Sequence, residues 1–506
     1  VPRASRSARV ISVSSVALIV YVTLFPFDFV DSGTSLGAAA RDLSLAVNQQ
    51  WVLDDVPRNL VLFVPFGFGL AGLVATRVRE GWLVAAIVTA AGLVLSGTIE
   101  LLQTSTLLRF PSLADILANG AGTALGWGLF HMAGGGIPDA IANLTRRLRR
   151  ALTRRHRLLL ALTPTLALLL VTFASRHTTE LSNWDTSFPL VIGNEHTGDR
   201  AWSGSLAGLY LADRAFTTDE VARILGGVPA GSIDADASVL DYDFAERRDT
   251  PSGLVPHGTR RVTYGEHGVD LGPTRWLESA GPVTGASRAL AASGQFTLSV
   301  EAMTSDTDQE GPARLLSISP DAFDRNLTIG QEGTDLVVRL RTPFTGPNGR
   351  SPEFIVPKVF TDVEPHRLVL TYNGSTLRLT VDDATTTHEL ELMPAVAVLM
   401  TLFPNDVGQM RVTDWGPVLL RGFYRAIMFV PWGAWLAADR RAWAPGAPSA
   451  VRAATRSLLL VVPALAAEGV LSNLISGYSF EPGLVLLGVS ITVLGYVGVR
   501  LLSRES

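Results

Sequence analysis

Seven polar or charged residues stand in or beside strongly apolar segments in the first part of the chain: Arg58, Asn59, Glu100, Gln103, Arg109, Asp115 and Asn119. A charge at the centre of a membrane helix costs roughly 2.5–3.5 kcal/mol, so residues of this kind usually carry a partner or a task. Glu100 and Gln103 are three apart and share a helix face; Asp115 and Asn119 are four apart and share another. Ser112 is placed to cap the helix that Asp115 begins, where the helix dipole favours a carboxylate. Three chemistries fit this set. Arg58 and Arg109 offer bidentate recognition of a lipid-linked phosphate, with Glu100 and Asp115 orienting them and accepting sugar or peptide donors. Alternatively, Glu100 or Asp115 acts as a general acid or base in a poorly hydrated pocket. In the third reading the residues pair with one another and fix the bundle without a ligand.

Little else in the chain suggests chemistry. There is no cysteine, which removes disulfides and thiolate metal sites, and the eight histidines are scattered singly. A net charge of −4 argues against a nucleic-acid partner. No nucleotide-binding loop or nucleophile motif is present, and no cofactor is expected.

The elements that must position the seven residues are membrane helices. A spanning helix needs about 20 apolar residues. Candidate segments lie at 10–27, 59–76, 82–103, 113–132, 158–174, 420–437, 455–473 and 483–502. The first lacks a convincing cleavage site and is read as a helix that stays. Arginines cluster before the first segment (Arg3, Arg6, Arg9), after the second (Arg77, Arg79), along 146–157, around Arg440 to Arg456 and at Arg500 and Arg504. Short cytoplasmic loops collect such charges, so one assignment places both termini inside and residues 178–415 outside a bacterial cytoplasmic membrane. Under it the seven residues lie near the outer leaflet. Leu36, Leu43, Val47 and Trp51 in the outside loop 28–57 line one face of a short connecting helix.

The expected fold is a multi-pass α-helical bundle of about eight helices with an inserted all-β sandwich, for which the resemblance given below implies a jelly roll. The domains are 1–175 (five helices), 176–416 (sandwich) and 417–506 (three helices). The two helical parts show a degenerate internal repeat: NLVLFVPFG at 59–67 is echoed by RAIMFVPWG at 425–433, and Glu100 by Glu468. Leu471 then stands for Gln103, and Val485 and Val489 lie near the places of Asp115 and Asn119.

VPRNLVLFVPFGFGLAG at 56–72, followed by GTIELLQTSTLLRFPSLADILANGAGTALG at 97–126, resembles the VanZ family. Founding members of that family are associated with resistance to the glycopeptide antibiotic teicoplanin. The resemblance implies that the seven polar positions matter; it implies no reaction. Gly120, Gly122 and Gly126, with Ala118 and Ala124, form a small-residue surface suited to close helix packing.

The insertion alternates with period two in FTLSVEAM at 296–303, LTIGQEGTDLVVRLRT at 327–342 and HRLVLTYNGSTLRLTVDD at 366–383, where Asn373-Gly374 makes a hairpin turn. The last segment, and GNEHTGDRAWSGSLAGLYLADRAFTTDEV at 193–221, resemble the concanavalin A-like or laminin G-like jelly roll. Their order is inverted relative to that family, which implies either a circular permutation or a separate small element at 178–225; permutation is preferred. Sandwiches of that kind often bind glycans, sometimes with calcium. The acidic residues Asp234, Asp236, Asp241, Asp243, Asp382 and Asp383 read better as turn formers than as calcium ligands. Trp184, Trp202 and Trp276 suit either sugar stacking or the core.

The function expected from all this is a cell-envelope protein binding a surface glycan or a lipid-linked wall precursor. Its partners would be membrane lipid, a lipid-linked glycan or surface polysaccharide. An envelope glycolipid-modifying enzyme, or an accessory subunit of an exopolysaccharide or secretion system, stands as the alternative, so whether a reaction is catalysed stays open.

Overall fold

The computed structural model describes residues 2–24, 55–103, 113–132, 153–246, 250–402, 409–411, 416–438 and 448–504. The expected helix around Leu36 to Trp51 lies outside them, as does Arg109. The chain forms two compact units: Val1–Leu166 with Arg425–Ala464 and Val485–Ser506, and Ala167–Tyr424 with Leu465–Leu484.

Long helices occupy all eight predicted segments: α1 (Pro2–Leu24), α2 (Asp55–Val74), α3 (Gly81–Gln103), α4 (Leu113–Met132) and α5 (Arg154–Ser175), then, beyond the sandwich, α9 (Gly416–Ala438), α10 (Ser449–Leu474) and α11 (Pro482–Arg504). Among the described residues four helical stretches are long and apolar enough to cross a membrane: Gly81–Gln103, Arg155–Ser175, Ser449–Leu474 and Pro482–Leu501. The way α3 presents its residues fits that medium. Its buried stripe is Val84, Val88, Gly92, Ser96, Ile99, Glu100 and Gln103, while Ile87, Val94 and Leu102 are exposed. An apolar exterior around a partly polar interior is the inverse of a water-soluble helix.

Backbone approach, rather than bulky side chains, joins α2 to α4. A Cβ added at Gly67 would strike the carbonyl of Thr123; one at Gly122 would strike that of Leu60, and one at Gly126 that of Val64. The second helical part repeats these relations. A Cβ at Gly433 would strike the carbonyl of Thr492, and one at Gly495 would press on Val430. Thr123 donates its hydroxyl to the carbonyl of Asn119 at 2.8 Å, and Thr492 donates to that of Gly488 at 2.9 Å. Matched by contacts, Leu484 and Gly488 hold the places of Asp115 and Asn119, one residue before the valines read from spacing alone.

The other unit is a β-sandwich. One sheet runs Gln409–Arg411, Glu353–Val356, Asp335–Leu340, Leu327–Glu332, Ala313–Ile318, Pro189–Ile192, Trp276–Pro282, Leu254–His257 from edge to edge. The second runs Thr387–Glu391, Thr376–Val381, His366–Tyr372, Phe296–Thr304, Gly204–Ala212, Gly268–Leu271, Thr263–Gly265, with Ser238–Asp243 also paired to Gly204–Ala212. Neighbours are antiparallel except Gln409–Arg411 beside Glu353–Val356. Helices α6 (Thr218–Leu225), α7 (Thr284–Ser293) and α8 (Ala397–Leu402) complete it. Helix α6 buries Val221, Ile224 and Leu225 against Tyr210, Phe216 and Val369, and a reciprocal capping box between Thr217 and Glu220 fixes its start.

Several expectations are refined. The turn at Asn373-Gly374 forms, with Gly374 at φ +96°. The run 327–342 is two strands, because Gly333 at φ +56° turns the chain between Glu332 and Asp335. The strand Gly204–Ala212 sits inside the second sheet, so 178–225 is no separate element. Trp184 donates to the carbonyl of Arg341 and Trp202 to the Gln331 side chain, both from buried positions, so these two belong to the core. Asp383 accepts the backbone N–H of Thr385 and Asp234 that of Ala237, which are turn-forming roles.

The sandwich also holds segments beyond the expected 176–416. Within that span Tyr372 donates to the carbonyl of Thr179, and Thr179 donates to that of Gly374; further bonds reach outside it. Asn373 donates to the carbonyl of Gly477, and Arg421 pairs with Glu391 and, at 3.8 Å, with Glu481. Arg421 and the Gly477–Glu481 stretch thus join the sandwich, whose compact unit is Ala167–Tyr424 with Leu465–Leu484.

Candidate functional site

The polar residues of the first helical part meet at one end of its bundle, where α1 and α3 finish and α2 and α4 begin. Asn59 on the first turns of α2 donates its amide to Asp115 Oδ1 at 2.7 Å. Gln103, at the last turn of α3, donates to the carbonyl of Thr23 near the end of α1 at 2.8 Å. Glu100 is buried one turn earlier on the same face of α3, at 3 % exposure. The helical spacing alone puts Glu100 and Gln103 on that face, and the α1 carbonyl is what draws Gln103 inward. Asp115 is partly exposed in the first turn of α4, where the unpaired backbone N–H groups favour its charge.

Asn119 has a different task. One turn further along α4, it donates to Ser96 Oγ of α3 at 2.8 Å and is buried. It holds α3 to α4 at a point where Gly92 also packs against Thr123. Ser96 is the residue that spacing did not single out, although it lies four before Glu100 and hence on the same helix face. Arg58 is helical, in α2, and its side chain is not among those described; Arg109 lies outside the described residues. The structure therefore brings Asn59, Asp115, Glu100 and Gln103 to one end of the bundle and sets Asn119 deeper.

In the second helical part the corresponding positions are stripped of most polar groups. A Cβ at Gly488, in the place of Asn119, would meet Ala464, in the place of Ser96. Glu468 remains, fully buried, and accepts from Tyr478 Oη at 3.0 Å.

Residues 8–134 match the model of the VanZ/LLP1 family. The match takes in α1 to α4 and every one of the seven polar positions. It spans about a quarter of the chain and stops short of the sandwich. No curated protein and no solved structure matches the chain. The similarity to that family thus falls on a bundle of close-packed helices carrying polar residues at one end.

Proposed function

We propose that this is a cell-envelope membrane protein whose VanZ-like bundle holds the anionic headgroup of a membrane lipid or lipid-linked glycan. The observation that carries this reading is the gathering of Asn59, Asp115, Glu100 and Gln103 at one end of a bundle. Arg58 and Arg109 are the cations of the set, and a guanidinium recognises phosphate through paired N–H groups. Asp115, held by Asn59, orients a neighbouring arginine. In this reading the eight helices span the cytoplasmic membrane, both termini are cytoplasmic, and the sandwich is an extracytoplasmic recognition module of permuted concanavalin A-like type. The second helical part is a duplicated copy that kept its glycine contacts and lost its polar end. A part in glycopeptide resistance is the role that the VanZ-like match suggests.

The test uses the whole protein in lipid nanodiscs doped with a polyprenyl phosphate, with retained lipid counted by native mass spectrometry. Wild type should retain the polyprenyl phosphate over phosphatidylcholine. Arg109→Ala should lose about tenfold in retention with its melting temperature unchanged. Equal retention by Arg109→Ala, or unfolding of Arg109→Ala together with Arg109→Lys, would leave the polar end as a helix-packing network. The cross-helix bonds of Asn59, Gln103 and Asn119 are the observation behind that second reading.

A further inference from the structure

The sandwich contains a buried cluster of arginines. In the first sheet Ser317 lies opposite Thr328, and Thr328 opposite Arg339, so the three project from one face. That face is polar and buried. Ser317 Oγ is 2.8 Å from Thr328 Oγ1 and 2.6 Å from Ser319 Oγ, and Ser319 donates to Glu195. Arg314 Nε donates to Glu195 at 3.3 Å, and Arg339 Nε to Glu353 at 2.6 Å. Arg325 has no exposed surface; its guanidinium reaches the carbonyl of Ala322, and its Nε has no hydrogen-bond partner among the described residues.

Three buried guanidinium groups thus share two buried carboxylates. Burying a charge without full pairing is costly, several kcal/mol per ion after relaxation. Burial, together with Arg325 and Arg339 nearby, lowers Arg314 to about 9, and burial with Arg339 lowers Arg325 to about 10. A positive excess of this kind is stabilised by an anion.

A cavity of about 270 Å³ opens onto the cluster, lined by Arg200, Arg314, Arg339, Arg350, Asn348 and Phe323 among others. Glu332 is the single carboxylate in that lining. Arg339 binds protein through Nε, which leaves its two terminal nitrogens without a protein hydrogen bond among the described residues. Arg200 comes no closer than 3.9 Å to a carboxylate, that of Asp199. Phe323 is 75 % exposed at the rim, an apolar face beside a basic pocket. Since a water takes about 30 Å³, the cavity has room for an oxyanion together with the ring that bears it.

We propose that this cavity binds an oxyanion, phosphate or carboxylate, borne by a saccharide whose ring lies against Phe323. The arginine fork matches either oxyanion in a bidentate manner, and the aromatic ring gives the sugar an apolar platform. The site goes beyond the headgroup reading of the membrane bundle and does not depend on it.

Calorimetry on the whole protein in detergent tests it with four probes: glucose 6-phosphate, glucuronate, inorganic phosphate and glucose. Glucose 6-phosphate or glucuronate should bind at least tenfold tighter than both glucose and inorganic phosphate, and added salt should weaken it. The tighter of the two sugar anions names the oxyanion; inorganic phosphate binding as well as either overturns the saccharide proposal. Arg200→Ala with Arg350→Ala, both at the open side of the cavity, should cost about tenfold in affinity, whereas Arg109→Ala should leave it intact. No saturable binding by any of the three anions at about 10 mM, or unchanged affinity in the Arg200/Arg350 double variant, overturns the proposal.

Discussion

Asn119 of α4 and Ser96 of α3 share a buried 2.8 Å hydrogen bond, and in the second helical part a glycine and an alanine, Gly488 and Ala464, meet in the same relation. Ser96→Ala alone strands the Asn119 amide, which costs about 1–3 kcal/mol when a buried polar group loses its partner. Ser96→Ala with Asn119→Gly removes both groups and imitates the second helical part, so it should melt higher than the sum of the single variants predicts. Thermal unfolding in detergent measures this as a double-mutant cycle; strict additivity would show that the bond carries no coupling.

Gly67 and Gly433 should respond alike. Either residue replaced by alanine drives a Cβ into a helix backbone, a collision no side-chain rotation relieves. Overpacking costs about 1–3 kcal/mol, so both variants should melt well below wild type. Gly97→Ala and Gly128→Ala, where the added carbon meets nothing, should stay within about 0.5 kcal/mol of wild type or gain slightly. Indistinguishable melting of Gly67→Ala and Gly97→Ala would rule out the close approach of α2 and α4.

Acid should weaken the start of α6 in a defined window. Glu220 accepts two N–H groups from Arg214, at 2.8 and 3.1 Å, and caps its own helix. The Arg214 hydrogen bonds are the largest cause lowering its carboxyl to about 2 from an ordinary 4.5. A folded-state value below the unfolded one stabilises fully above about 4.5 and is lost as the pH falls toward 2. Glu220→Gln should therefore flatten the acid limb of a stability–pH curve for the sandwich between those limits. An unchanged acid limb in the variant would show that other carboxylates control it.

Glu195→Gln should destabilise the sandwich more than replacing the Arg314–Glu195 pair together. Removing one partner leaves Arg314 buried and uncompensated, a loss of about 3–5 kcal/mol. Arg314→Met with Glu195→Leu keeps the volume, though Ser319 must find a new acceptor. Chemical denaturation followed by tryptophan fluorescence, with Trp202 in the core, separates the two outcomes.

What could be read from sequence followed the range of the interactions involved. Helices in apolar surroundings announce themselves by composition, and the eight segments carried that signal. Gly122 and Gly126, four apart, gave the packing face of α4. The Asn373-Gly374 turn is a two-residue signal and was legible; Gly333 was not, because the alternation continues unbroken on both sides of it. At the polar end, Asn59 and Asp115 could be grouped by topology, but not paired. Ser96 stayed hidden, as serine in a membrane helix carries no special signal until its partner on another helix is known. The arginine cluster was invisible for the same reason. Arg200, Arg314, Arg325, Arg339 and Arg350 are spread over the sequence, and only strand register brings Arg339 beside Thr328 and Ser317.

The bonds from Asn373 to Gly477 and from Arg421 to Glu391 have a practical meaning for anyone dissecting the molecule. A fragment cut at 176 and 416 would leave Glu391, 6 % exposed, without Arg421, and Asn373 without the carbonyl it donates to. Residues 176–416 are thus not a detachable domain. Expression of residues 176–416 alone should yield a loosened protein, and proteolysis at those two bounds would damage the sandwich rather than release it whole.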